Sequence, residues 1–66
     1  MSSRYKVVIN HEEQYSILPI DQTVTRGWQE VGIRGSGDEC LRHIEEVWTE
    51  MRPAQREELQ TIIRRG

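Results

Sequence analysis

The sequence lacks several features that would assign a small protein to a familiar functional class. It has a single cysteine, so no disulfide can form within the chain, as is typical of a reducing, cytoplasmic setting. No apolar run is long enough to resemble a signal peptide or a membrane span. The formal net charge is −2, whereas a dedicated nucleic-acid-binding domain normally carries a basic surface. We therefore expect neither a nucleic-acid partner nor a membrane.

Groups of residues that support catalysis are also missing. The glycine-containing segment Gly35–Gly37 has neither the lysine nor the spacing of a phosphate-binding loop. The carboxylate pairs Glu12–Glu13 and Glu45–Glu46 fall in a polar connection and on a helix flank, where such pairs usually face solvent. We expect no catalytic residue, no cofactor and no small-molecule substrate, and the chain is interpreted as a binding protein rather than an enzyme.

The alternative is a small enzyme or metal-binding protein that uses Cys40 and His43, which stand three residues apart, with His11 elsewhere. No second Cys-x-x-Cys pair or orienting partner accompanies them. Cys40 also falls on the apolar stripe of a predicted helix, where it suits a small buried side chain. We therefore predict a core role for Cys40 and no metal site.

The segment Ser36–Pro53 determines its own structure most clearly. Its apolar side chains recur at helical spacing and form one stripe. They are Cys40, Leu41, Ile44, Val47, Trp48 and Met51. Ser36 followed by Glu39 forms a capping box at the start, and Pro53 is predicted to end the helix. This stripe needs a partner surface, which the rest of the chain must provide, and it places Trp48 in the core.

Three strands precede this helix and a shorter one follows it. The predicted strands are Arg4–Asn10, Gln14–Leu18 and Trp28–Arg34, and the second helix is Ala54–Arg65. We predict an α+β fold in which a three-stranded antiparallel sheet packs against one main helix, with residues 1–66 forming one domain. A chain of 66 residues buries only about 60% of the surface of its unfolded form, so its stability is marginal.

Side-chain alternation assigns residues to the two faces of this sheet. Val31 and Ile33 are predicted to face the helix. The opposite face then carries Ser16, Leu18, Trp28 and Glu30. One helix covers only one face, so this exposed Leu–Trp pair has the character of a partner site. The other interpretation is that the second helix folds over Trp28 and makes it a core residue, and alternation alone leaves both open.

A set of residues spread over two thirds of the chain resembles the signature of the MbtH-like protein family. The matching positions are Asn10, Glu12, Gln14, Ser16, Pro19, Gly27, Trp28, Leu41, Glu45, Trp48, Thr49, Arg52 and Pro53. Their order and nearly all of their spacings are kept. The resemblance implies the same sheet-and-helix fold. It also implies a non-catalytic cytoplasmic partner of adenylation domains in bacterial nonribosomal peptide synthetases, which supports their solubility and their formation of aminoacyl-adenylate for antibiotic or siderophore biosynthesis.

The resemblance also implies a binding site. In family complexes two tryptophans form a slot for a small side chain of the adenylation domain; the second corresponds to Trp28 and the first to Leu18, where this chain departs from the family. Ser16 and Pro19 match and flank the slot. The expected partner-binding residues are thus Ser16, Leu18, Pro19 and Trp28, and the other signature positions are expected to be structural. Another possibility is a family member that no longer binds adenylation domains.

Overall fold

The computed structural model describes the backbone of residues 4–65 and the side chains of residues 4–64. Three strands are followed by two helices, and the predicted α+β fold is confirmed. The elements are β1 (Tyr5–Asn10), β2 (Tyr15–Pro19), β3 (Trp28–Gly35), α1 (Gly37–Val47) and α2 (Pro53–Arg65). Each predicted strand boundary lies within one residue of the observed one.

The first hairpin is built by the side chain of Asn10. Its Oδ1 accepts hydrogen bonds from the backbone N–H groups of Glu12 and Gln14, at 3.0 and 2.9 Å. Its Nδ2 donates to Oε1 of Gln14 at 3.0 Å. Glu13 completes the turn with a φ of 63°, in the left-handed region. An asparagine side chain stabilises such a turn by replacing backbone partners, which explains why Asn10 and Gln14 occur together.

The first strand of the chain lies in the centre of the sheet, whose order is β2-β1-β3. Both outer strands are antiparallel to β1, so residues 20–27 must connect the two edges of the sheet. On the face opposite the core, Lys6 and Val8 are buried, and the Lys6 ammonium donates to the backbone carbonyl of Gln22. The crossover connection therefore covers the central strand on this face.

The hydrophobic core lies on the other face of the sheet, against both helices. Its buried members are Tyr5, Val7, Ile17, Cys40, Leu41, Ile44 and Leu59. α2 is fixed at its end because the Tyr5 hydroxyl donates to the carbonyl of Ile63 at 3.2 Å. Gly37 leaves room for the same residue, since a Cβ at this position would overlap the Ile63 side chain. No helix within residues 4–65 has the length and apolar character needed to cross a membrane.

The start of α1 agrees with the predicted capping box. The Ser36 hydroxyl accepts from the Glu39 N–H at 3.2 Å, and a Glu39 carboxylate oxygen accepts from the Ser36 N–H at 3.1 Å. The hydrogen bond from the Ser36 N–H first, and the Ser36 side chain second, hold the pKa of Glu39 below its usual value because both favour the ionised carboxylate. The sequence pattern here is local, which is why it predicts the helix start correctly.

The end of α1 differs from the prediction. The helix stops at Val47, and Trp48 caps it with a backbone N–H that donates to the carbonyl of Ile44 at 2.8 Å. Val47 is 44% exposed and does not belong to the buried stripe. Pro53 does not end this helix but is the first residue of α2, a position where its missing N–H costs nothing. Trp48 and Met51 still pack against the core, although both lie beyond the helix.

The predicted position of Val31 against the helix is also wrong. Ile33 packs against the core as expected, but Val31 is 37% exposed. The ladder shifts between the pairs Lys6↔Arg34 and Val8↔Glu30, so residues 31–33 stand opposite the single residue Val7. Gly32 makes this irregularity possible because its φ is +87°, a conformation that favours glycine. Strict alternation therefore fails at the middle of β3.

Candidate partner-binding site

The face opposite the core carries the predicted set of side chains. Ser16 and Leu18 pair with Val8 and Lys6 of the central strand, and Trp28 pairs with Asn10. Glu30 also stands opposite Val8. Alternate residues of one strand share a face, and directly paired residues share it too. The observed register thus places Ser16, Leu18, Trp28 and Glu30 on the same side.

Ser16 and Trp28 line one groove, here called the Trp28 groove. Tyr15 and Trp48 contribute aromatic side chains to it, and their ring centroids lie 5.8 Å apart. The remaining wall is α2, through Gln55, Glu58, Leu59 and Ile62. The groove therefore bends around the edge strand β2 and connects the face opposite the core with the helical side of the sheet.

Trp28 is positioned by the turn before it. Its backbone N–H donates to the carbonyl of Thr25 at 3.0 Å, and Gly27 has a φ of +93°. Residues other than glycine rarely adopt this backbone conformation, which accounts for the glycine at this position. Trp28 is half-buried and is not a member of the core cluster. Its side chain is thus held at the first position of β3 while part of its surface stays accessible.

Leu18 and Pro19 lie farther along β2 than Ser16, and neither residue lines the Trp28 groove. Leu18 is half-buried opposite Lys6, four residues along β1 from the partner of Trp28, a distance of about 13 Å along the strand. Pro19 is exposed at the end of β2, opposite Tyr5. Of the four expected partner-binding residues, the structure brings Ser16 and Trp28 together in one groove. Leu18 lies apart from them on the same face, and Pro19, paired with Tyr5, lies on the core face, so Leu18 and Trp28 do not form the expected slot.

The second helix packs against β2 and α1 rather than over Trp28. α2 is anchored in the core by Leu59, which is 3% exposed, on the opposite face from Trp28. The groove residues Gln55, Glu58 and Ile62 were not predicted from the sequence. A signal for them existed, because with Leu59 they follow the i, i+3, i+4, i+7 spacing of a single helix stripe. What the spacing did not indicate is that this stripe reaches the edge strand.

Several signature residues connect elements of the fold. A Glu45 carboxylate oxygen accepts from Nε of Arg56 at 2.6 Å, which joins α1 to α2 across an exposed surface. The Arg52 N–H donates to Oε1 of Gln55 at 2.9 Å, which satisfies a free donor at the start of α2. These contacts support the placement of α2, and therefore the groove wall that it supplies.

The structure places Cys40 in the core rather than at an accessible site. Cys40 is fully buried in the core, and burial raises the pKa of its thiol because it disfavours the thiolate. In the part of the chain that the structure describes, no group of three or more His, Cys, Asp or Glu side chains is arranged to hold a metal ion. Cys40 therefore acts as a core residue.

The Cys40 thiol is expected to resist modification in the native protein. Treatment with iodoacetamide at neutral pH should leave the native chain unlabelled over the time in which denatured chain is fully labelled, since the thiolate is both rare and inaccessible. Intact-mass spectrometry measures both samples. Rapid stoichiometric labelling of the native chain would contradict the core position of Cys40.

Comparison with known protein families agrees with this arrangement. The family model described as MbtH-like protein matches residues 1–60, which is most of the 66-residue chain. Proteins of this family are small accessory proteins, not catalysts, and they are associated with nonribosomal peptide synthetases. The fold, the signature contacts and the extent of the match lead to one conclusion: the chain belongs to the MbtH-like protein family.

Proposed function

We propose that this chain binds an adenylation domain of a nonribosomal peptide synthetase and supports its solubility and its formation of aminoacyl-adenylate. The chain supplies no catalytic group, and the chemistry takes place entirely in the partner. The cellular setting is the bacterial cytoplasm, in the biosynthesis of a secondary metabolite such as an antibiotic or a siderophore.

One observation carries this proposal. Ser16 and Trp28 are separated in the sequence, yet they line the same groove, and Trp28 keeps part of its surface accessible. An aromatic side chain in a groove is the kind of residue that contributes most to protein–protein affinity. Family membership supports the class of partner, and the position of Trp28 supports the surface used.

Replacing Trp28 with alanine tests the proposal. The partner in this test is the adenylation domain of the synthetase whose gene lies nearest to the gene of this protein. Trp28→Ala should weaken binding to this domain by about 2 kcal/mol or more, because the groove loses its main apolar contact. The free energy of unfolding should change by less than about 1 kcal/mol, since Trp28 lies outside the core cluster. Isothermal calorimetry and thermal melts measure the two effects.

Val31→Ala is the matched control, because Val31 is exposed on the same strand but does not line the groove. It should bind like the wild type. A pyrophosphate-exchange assay of the adenylation domain adds a functional measurement, in which wild type and Val31→Ala stimulate the domain and Trp28→Ala does not. Normal binding by Trp28→Ala would refute the assigned surface, and absence of binding by the wild type would refute the proposed function.

A further inference from the structure

One wall of the Trp28 groove comes from α2. None of the expected partner-binding residues lies on this helix. Gln55, Glu58 and Ile62 supply this wall beside the buried anchor Leu59. Gln55 is held in place because its Oε1 accepts from the Arg52 N–H. The wall is therefore a fixed part of the folded chain.

Among the residues whose side chains the structure describes, Glu58 is the only charged one that lines the groove, and its side chain is exposed. Within residues 4–64, no hydrogen bond or ion pair engages its carboxylate. The same holds for Glu57, so the feature that distinguishes Glu58 is its position in the groove. The remaining lining is aromatic, aliphatic or uncharged polar. The groove thus combines an apolar floor with one unpaired negative charge.

The groove has a volume of about 280 Å³. Sites for small molecules and cofactors usually span about 300–1,000 Å³ and bury most of their ligand. A groove at the lower end of this range, at the edge of a sheet, is large enough for one or two side chains of another protein. Its occupant is therefore best sought in a partner segment.

We infer that α2 forms part of the partner-binding surface, and that the Trp28 groove receives a partner segment in which an apolar side chain has a lysine or arginine close to it. The apolar side chain lies against Trp28, and the cation pairs with Glu58 at the rim. A charge of opposite sign at this position improves association and orientation, and the nearby aromatic rings also favour a cation. This inference rests on the proposed function, because it describes the same site.

Two adjacent glutamates provide a matched test. Glu57 and Glu58 are both exposed on α2, but Glu57 faces away from the Trp28 groove, towards Arg52 and Pro53. Glu58→Lys should weaken binding to the adenylation domain by about tenfold or more, because it places like charges together. Glu57→Lys makes the same charge change and should leave affinity within about twofold. Thermal melts of the two variants should coincide.

Salt dependence gives a second measurement. Raising the ionic strength should weaken binding of the wild type more than binding of Glu58→Gln, since the neutral variant has no charge to screen at this position. Replacing the partner lysine or arginine that pairs with Glu58 by glutamate should restore the affinity between the partner and Glu58→Lys. Trp28→Ala is included in the same experiment, so the two proposals are separated.

Equal affinities of Glu57→Lys and Glu58→Lys, with binding lost in Trp28→Ala, would overturn the inference and leave the proposed function intact. Tighter binding by Glu58→Lys would overturn it as well, because the partner would then present an anion. Absence of binding by the wild type would overturn the proposed function, and the inference with it.

Discussion

Replacing Ile44 with alanine is expected to remove most of the stability of this protein. Ile44 is fully buried on α1 within the core cluster, and truncation of such a side chain costs about 2–5 kcal/mol. A chain of 66 residues has a free energy of unfolding of about 3–10 kcal/mol on the usual per-residue scale. Urea denaturation followed by circular dichroism should show a large decrease in the midpoint, with partial unfolding at room temperature.

Val47→Ala is the control, because it removes a β-branched apolar residue from the same helix at a position that is 44% exposed. Both changes improve helix propensity in the same direction, so the difference between them isolates burial. The Val47 variant should change stability by less than about 1 kcal/mol. Similar losses in the two variants would show that Ile44 does not lie in the core as described.

Trp48→Ala is the second change with a large expected effect on stability. Trp48 packs partly buried against the core and lies beside Tyr15, with their rings tilted by 49°. The loss of this packing and of the aromatic pair should lower the free energy of unfolding by about 2–4 kcal/mol. Chemical denaturation measures the loss.

Trp48→Phe keeps an aromatic ring against Tyr15, so its loss of stability should be less than half of the loss in Trp48→Ala. Comparison with Trp28→Ala is also informative, because the chain has two tryptophans and their expected effects differ. Trp28 should act on binding with little effect on folding, whereas Trp48 should act on folding and, as a groove residue, on binding as well. If Trp48→Ala melts like the parent while Trp28→Ala unfolds, the roles of the two residues are reversed.

Local signals in the sequence predict where elements start, but they do not predict where α1 ends. The capping box at Ser36 satisfies its own donors, so it needs no distant residue. Trp48 and Met51 continue the apolar spacing, yet they reach the core from outside the helix because Trp48 turns towards Tyr15. That contact lies between residues far apart in the sequence, and helical periodicity does not detect it.

Which residues share the face opposite the core could be predicted, because alternation holds at both ends of β3; that the crossover covers the centre of this face, at Lys6 and Val8, could not. It fails only around Gly32, and a glycine within a strand pattern is itself a signal of a bulge. The α2 wall of the groove could not be predicted in the same way. Its position depends on how Leu59 and Ile63 dock against the sheet and α1, and this is decided by tertiary packing.

The central position of β1 also affects how fast the sheet forms. Its pairing with β2 closes through the short turn at Asn10, and a hairpin of this kind forms in about 1–10 μs. Its pairing with β3 runs from Asn10 and Trp28, 18 residues apart (28 − 10), to Tyr5 and Gly35, 30 residues apart (35 − 5). Distant pairings slow folding because the intervening chain loses entropy before the contact stabilises it. We therefore expect the pairing of β1 with β3, which residues 20–27 connect to β2, to form more slowly than the hairpin.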